Sequence, residues 1–359
     1  MKLIDKYIIR KFLGTFFFSL TLIIMIVVVF DISEKLEDFI AKKAPLSAII
    51  FDYYLNFIPY IINLFSPLFT FIAVIFFTSQ MASRTEIVAI LSSGVSYRRL
   101  LYPYMLSATV ITILSLILNN WVIPHATKKQ IAFEDKYIKN EFFNQDKNIH
   151  KQISPGNYIY MEYFRTFDAS GVRFSIEKFK DGKLYYKLMS EEIRWDSTQQ
   201  KWSIYNYHIR YINGMNEFIK KGARLDTTLN FTPAEFGRKD NTVGTMDYNE
   251  LNAFIDAEKL KGSDNVEVYE VEKYGRFSFP FATFILTLIG VALASRKVRG
   301  GIGMHIGLGV LISFAFILFM RVSTTFAVGG GFIKPMVAVW IPNFIFCFLA
   351  LFLLSKAQK

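Results

Sequence analysis

Six stretches of the chain, residues 12–30, 53–83, 100–124, 277–295, 300–320 and 335–355, run without charge for long enough to cross about 30 Å of hydrocarbon. Each predicts a membrane-spanning helix. The first is predicted to be retained rather than cleaved as a signal peptide: its apolar core is too long, no small-residue cleavage site follows, and it runs straight into Asp31-Ile-Ser-Glu34. From about residue 131 to 243 the pattern changes to two-residue alternation rich in Tyr, as in Asn157-Tyr-Ile-Tyr-Met-Glu-Tyr-Phe164, Val172-Arg-Phe-Ser-Ile-Glu-Lys-Phe179 and Trp202-Ser-Ile-Tyr-Asn-Tyr-His-Ile-Arg-Tyr211. Such alternation predicts strands, with Tyr160 and Phe174 among the inward positions. Ser154-Pro-Gly156, Ala169-Ser-Gly171, Asp181-Gly182 and Asn213-Gly214 separate them as turns, at the spacing of an antiparallel sandwich or jelly roll. A helical stretch over 249–260 then leads back to the apolar segments.

The expected organisation is therefore an α-helical membrane protein of six transmembrane helices with an inserted all-β, jelly-roll-like domain. Residues 1–124 hold helices one to three with a short helix near 83–94, residues 125–270 the β domain, and residues 271–359 helices four to six. No tandem repeat is visible, although three helices, a domain and three helices leave room for structural pseudo-symmetry.

Composition agrees with a bilayer as solvent: 52% of the 359 residues are hydrophobic, 17% aromatic and only 20% charged. A net charge of +11 could suggest nucleic acid, but residues 125–275 carry 23 charges of each sign, while the rest carries 18 Lys and Arg against 7 Asp and Glu. The excess lies beside the apolar segments, where it meets lipid headgroups and sets topology. Lys2, Lys6, Arg10, Lys11, Arg84, Arg98, Arg99, Arg296, Lys297, Arg299, Lys356 and Lys359 fall on one side, which the positive-inside rule makes cytoplasmic, with both termini; the β domain is then outside. The single cysteine, Cys347, excludes an intrachain disulfide and a thiolate metal cluster.

No catalytic constellation stands out, since His125, His150, His208 and His305 are scattered and form no helical pair. The run Gly300-Gly-Ile-Gly-Met-His-Ile-Gly-Leu-Gly309 lacks the Lys-Ser/Thr of a phosphate loop; its expected use is close helix packing through Gly303 and Gly307. Ser83-Arg-Thr-Glu-Ile-Val-Ala-Ile-Leu-Ser-Ser-Gly94 reads as a short amphipathic helix ended by Gly94. Its Glu86 either pairs with Arg84 or Arg98 at a headgroup surface or orients a partner, with Ile87, Ile90 and Leu91 docking in that partner's groove. At the opposite ends of the helices, Lys35, Lys42, Lys43, Arg276, Arg321 and Lys334 are either snorkelling anchors or a ring of cations for the phosphates of an anionic lipid. Asn56, Asn63, Asn119, Asn120 and His305 are the polar groups that an intramembrane enzyme would have to use.

Taken together, Leu3-Ile-Asp-Lys-Tyr-Ile8, Thr85-Glu-Ile-Val-Ala-Ile-Leu-Ser-Ser-Gly-Val95, Asn120-Trp-Val-Ile-Pro124, Phe231-Thr-Pro233 and Ala294-Ser-Arg-Lys297 resemble the lipopolysaccharide export permeases of the LptF/LptG (YjgP/YjgQ) family over essentially the whole chain. The opening segment and the acidic Ser33-Glu-Lys-Leu-Glu-Asp38 are more like LptG. The resemblance implies an inner-membrane transporter subunit that hydrolyses nothing itself and needs no cofactor. It implies a second permease, LptF-type or identical, an LptB-type ATPase dimer that receives Arg84, Glu86, Ile87, Ile90, Leu91 and Gly94 as a coupling helix, and an LptC-type bitopic protein that accepts lipopolysaccharide from a periplasmic jelly roll. Where LptG-like sequences can carry a lysine near the outer end of helix one, this chain has Asp31, with Lys35, Lys42 and Lys43 nearby. The rival reading is a membrane-anchored assembly or receptor protein whose β domain binds a partner.

Overall fold

The computed structural model describes residues 2–138, 147–233, 236, 240–260, 263, 265–295, 301–328 and 333–357. Gly300 and four of the cations used to orient the chain, Arg296, Lys297, Arg299 and Lys359, lie outside the described residues. The chain divides into two compact units, one of Met1–Ile138, Gly244–Asn249 and Glu267–Lys359, the other of Lys139–Val243 and Glu250–Val266.

In the first unit, six helices among the described residues are long and apolar enough to cross a membrane. They are α1 (Leu3–Ala41), α2 (Leu46–Ser83), α4 (Tyr97–Tyr137), α6 (Val266–Ala294), α7 (Gly303–Val328) and α8 (Pro335–Ala357). Between α2 and α4 lies the short α3 (Glu86–Ser92), and α5 (Tyr248–Leu260) precedes α6. With 39 residues at about 1.5 Å each, α1 is roughly twice as long as the hydrocarbon is thick.

Two helices change pitch. Ile49–Tyr54 in α2 and Leu118–Val122 in α4 are π-helical, and prolines stand inside α2, α4, α6 and α8 at Pro59, Pro67, Pro103, Pro280 and Pro342. Neighbouring helices take up backbone groups that such irregularities free: Asn119 donates at 3.3 Å to the Arg276 carbonyl, which Pro280 leaves without its helical partner, and Ser323 donates at 2.6 Å to the Ala338 carbonyl, which Pro342 leaves likewise.

One core gathers Ile8, Phe12 and Phe16 of α1 with Phe77 and Met81 of α2 and Leu100 and Tyr104 of α4. A second joins Phe71 and Ile75 of α2 to Ile289 of α6, Phe316 of α7 and Phe346 of α8. Close approach in this second core does not run through the glycines expected to provide it. A Cβ at Gly303 or Gly307 would meet nothing within 4 Å among the described residues, whereas one at Gly309 would lie 2.4 Å from Ile75 Cδ1, and one at Gly290 of α6 would lie 2.9 Å from Val74 and 3.0 Å from Phe71. Gly309 and Gly290, not Gly303 and Gly307, let the backbones approach.

The second unit holds the inserted antiparallel all-β domain together with most of α5. Its segments are β1 (Lys147–Ser154), β2 (Asn157–Arg165), β3 (Ser170–Val172), β4 (Ser175–Lys180), β5 (Lys183–Met189), β6 (Glu192–Asp196), β7 (Lys201–Asn213) and β8 (Asn216–Thr227). Segments β3 and β4 act as one strand and β5 and β6 as the next, because the ladder continues across both interruptions: Arg173 N–H donates to the Glu191 carbonyl and Ser190 N–H to that of Phe174, each at 2.8 Å. Six long strands thus pair in chain order, joined by hairpins such as Asp181-Gly182, where both residues have positive φ as a type I′ turn requires.

The interruptions keep one face turned to the core. On β7 the buried apolar residues are Trp202 and Ile204, then Tyr207 and Ile209, a change of parity absorbed at Asn206, which has φ +49°. Ile159, Met161, Phe174, Ile176, Leu188 and Ile193 complete that core. Phe231 closes it, its ring 5.0 Å from that of Trp202 and its carbonyl accepting from Trp202 Nε1 at 2.9 Å. Phe174 is inward as expected, but Tyr160 is not: it alternates with the buried Ile159 and Met161 and so faces the other way. The polar face carries cross-strand pairs, among them Asp226, held below the usual carboxylate range by the Ser203 hydroxyl and by Arg224. Burial pushes the Tyr186 phenol up to about 12.

Candidate functional site

The segment between α2 and α4 is shaped by two left-handed residues. Thr85, with φ +62°, turns the chain out of α2, and Gly94, with φ +87°, ends α3; Gly94 N–H donates to the Leu91 carbonyl at 3.1 Å. The two turns of helix between them have distinct faces. Ile87 is 2% exposed within the core of α1, α2 and α4, and Ile90 and Leu91 pack against that core. Of the stripe expected to enter a partner's groove, Ile87 is thus already used within the chain, while Ile90 and Leu91 remain half-buried. The outward face consists of Arg84, Thr85, Val88, Ala89, Ser92 and Ser93, with Val88 58% exposed.

Glu86 sits at the edge of this face. It accepts a hydrogen bond of 3.0 Å from the Tyr7 hydroxyl of α1, and among the described residues neither Arg84 nor Arg98 pairs with it. Beside it Asp5, 2% exposed, holds Arg99 of α4 in a bidentate pair with both contacts at 2.8 Å. The N-terminal turns of α1 are thereby tied to α3 through Tyr7 and to α4 through Asp5. Neither residue was singled out by the sequence reading, although both stand in the motif Leu3-Ile-Asp-Lys-Tyr-Ile8; only a partner distant in sequence gives them a role.

Of the six cations expected to form a rim, Lys35 and Arg276 are seen engaged inside the helical unit. Lys35 bonds Asp31 at 2.7 Å and the Tyr53 hydroxyl, and lies 4.6 Å from the Tyr53 ring. Tyr53 and Tyr54 donate to the two oxygens of Asp31 at 3.2 and 3.0 Å, an arrangement that the π turn Ile49–Tyr54 makes possible by altering the angle between successive side chains. Arg276, 5% exposed, bonds Glu272 at 3.2 Å and the Met246 carbonyl at 2.8 Å. Burial demands such partners for a guanidinium, and Arg276 has them, while Lys35 is half-buried beside Asp31 and Tyr53. Lys42 is half-buried, and Lys43, Arg321 and Lys334 are exposed.

The amides that an intramembrane enzyme would need make structural hydrogen bonds, although the buried Asn120 Oδ1 has no partner among the described residues. Asn63 donates to Asn119 at 2.7 Å and accepts from Ser115 at 2.6 Å; Asn119 donates to the Arg276 carbonyl at 3.3 Å. Asn56 and Asn120 donate to carbonyls of their own helices. The bonds of Asn63 and Asn119 join α2, α4 and α6.

A family model described as lipopolysaccharide export system permease LptF/LptG matches residues 6–356. No curated protein matches the chain.

Proposed function

The chain belongs to the LptF/LptG family of lipopolysaccharide export permeases, and from that membership we propose that it is the transmembrane subunit of an ABC-type exporter, working beside a second permease to lift lipopolysaccharide from the outer leaflet of the inner membrane. The observation that carries this reading is the uneven burial of its helices. Only 17% of the apolar core of α1 and 22% of that of α7 is buried within the chain, against 61% for α2 and 67% for α6. Phe18, Met25 and Phe30 of α1 and Leu311, Phe314 and Phe326 of α7 are exposed apolar side chains suited to acyl chains or to a second permease's helices.

A separate ATPase supplies the energy. Its docking site is the outward face of α3, where Arg84 and Val88 are presented and Glu86 fixes orientation. Closure of the ATPase dimer moves α3; Glu86 and Tyr7, with Asp5 and Arg99, pass that movement to α1, which walls the lipid cavity. Both termini and α3 are cytoplasmic and the β domain is periplasmic, where it hands the lipid to an LptC-type protein; within the family the opening segment and Ser33-Glu-Lys-Leu-Glu-Asp38 favour an LptG-type subunit. The exposed Lys43, Arg321 and Lys334 are the cations left to meet lipid phosphates.

The direct test is Glu86→Lys in proteoliposomes that hold the complete transporter. ATP-driven release of lipopolysaccharide is expected to fall at least tenfold; an unchanged transport rate with an intact complex would remove Glu86 from coupling.

A further inference from the structure

The face of the β domain that points away from its core carries a cleft of about 600 Å³, within the range of about 300–1,000 Å³ in which small-molecule sites fall. Five neighbouring strands build it in register. One rung runs from His150 of β1 to Tyr160 of β2, Ser175 of β4, Met189 of β5 and His208 of β7, each the direct cross-strand partner of the one before. The rung beside it sets Tyr158 opposite Glu177 and Glu177 opposite Lys187. On the other side lies the line of interrupted strands, Arg173, Glu191 and Asn206, of which Arg173 and Asn206 have φ of +51° and +49°. Two side-chain-bearing residues held in the left-handed region on the wall of one cavity are a strain of the kind that persists at binding sites.

The cleft's chemistry selects the ligand. Its two cations and two carboxylates are balanced and already engaged: Lys187 with Glu177 at 2.7 Å, Arg173 with Glu162 just outside at 3.3 Å, and Glu191 as acceptor from Asn206 at 2.6 Å. Such paired groups leave no surplus charge for a phosphate, yet they present fixed donors and acceptors side by side, as a ring bearing several hydroxyls requires. The aromatic edge is fixed too. Tyr160 is pinned by its hydroxyl on Asn148 at 2.9 Å and by the His150 ring at 4.7 Å, and Tyr158 is 42% exposed beside it. An aromatic surface next to planar polar groups matches the apolar C–H face and hydroxyl rim of a pyranose.

We propose that this outward cleft is a saccharide-binding subsite that takes an uncharged sugar ring of the lipopolysaccharide oligosaccharide. The assignment to lipopolysaccharide rests on the export reading above; the saccharide chemistry rests on the cleft alone. A subsite on this outward face, mixed in aromatic and polar groups, holds the sugars apart from the acyl chains, so the two halves of an amphipathic cargo are gripped by different surfaces.

The test measures binding of lipid-free core oligosaccharide, released by mild acid, to the full chain in nanodiscs by saturation-transfer NMR and calorimetry, with inorganic phosphate as a second probe. Asn206→Gly removes the amide at a position whose backbone favours glycine, so the fold is kept, and Tyr160→Ala removes the aromatic face. Saturable oligosaccharide binding, weakened at least tenfold in each variant with an unshifted thermal midpoint for Asn206→Gly, supports the subsite. Equal affinity in wild type and both variants overturns it, as does phosphate binding that displaces the sugar. Oligosaccharide that fails to bind while intact lipopolysaccharide co-purifies with the chain overturns the subsite and leaves the export reading standing; absence of both overturns the two together.

Discussion

Gly290 illustrates how much of this membrane core depends on an absent Cβ. The nearest atoms to a Cβ there belong to Val74 and Phe71, a β-branched and an aromatic side chain on a crowded helix with little freedom to withdraw. Gly290→Leu is therefore expected to destabilise the purified chain by about 1–3 kcal/mol through overpacking, read as a lowered thermal midpoint in detergent, while Gly303→Leu, facing open space, leaves that midpoint unchanged. The converse pattern would restore the packing role to Gly303. The Gly300-to-Gly309 run marks a helix with small residues, which sequence makes plain, but which glycine touches a neighbour depends on rotation about the helix axis. The cations show the same limit. Lys35 and Arg276 look like surface anchors by position; Asp31 and Glu272 stand four residues away on the same helices, but only the Tyr53 hydroxyl and the Met246 carbonyl, distant in sequence, reveal that the two cations are engaged inside.

At the scale of elements, the six apolar helices were legible because length without charge has one inexpensive solution in a bilayer, and the strands because alternation with turn dipeptides has few others. Three features were not. The π turns at Ile49–Tyr54 and Leu118–Val122 leave no compositional mark. The parity change on β7 is set at Asn206, and the mixture of Tyr with Ile and Met along β2 makes both faces look apolar, so Tyr160 was placed on the wrong one. Helix α3 is too short for its apolar stripe to show which way it points. Its orientation gives a sharp expectation: a photo-crosslinking residue at Val88 captures the ATPase subunit, whereas one at Ile87 yields crosslinks only within the chain. Capture from Ile87 but not Val88 would mean that α3 rotates on docking and that the inward stripe is the true interface.

At the scale of the whole molecule, the charge surplus beside the apolar segments, the neutral insert between helices three and four, and a family match over residues 6–356 all describe one kind of machine. The exposed faces of α1 and α7 and the outward residues of α3 are the surfaces that we propose a second permease and an ATPase cover. A membrane-anchored receptor would also turn apolar helix faces to lipid, so the accompanying proteins tell the two readings apart. The most direct measurement is affinity purification of the chain from its own membranes in mild detergent, with mass spectrometry of the proteins and lipids that accompany it. The account predicts recovery of an ABC-type ATPase, a second permease and lipopolysaccharide in stable proportion; recovery of the chain alone, or with unrelated envelope proteins and no ATPase, would contradict it.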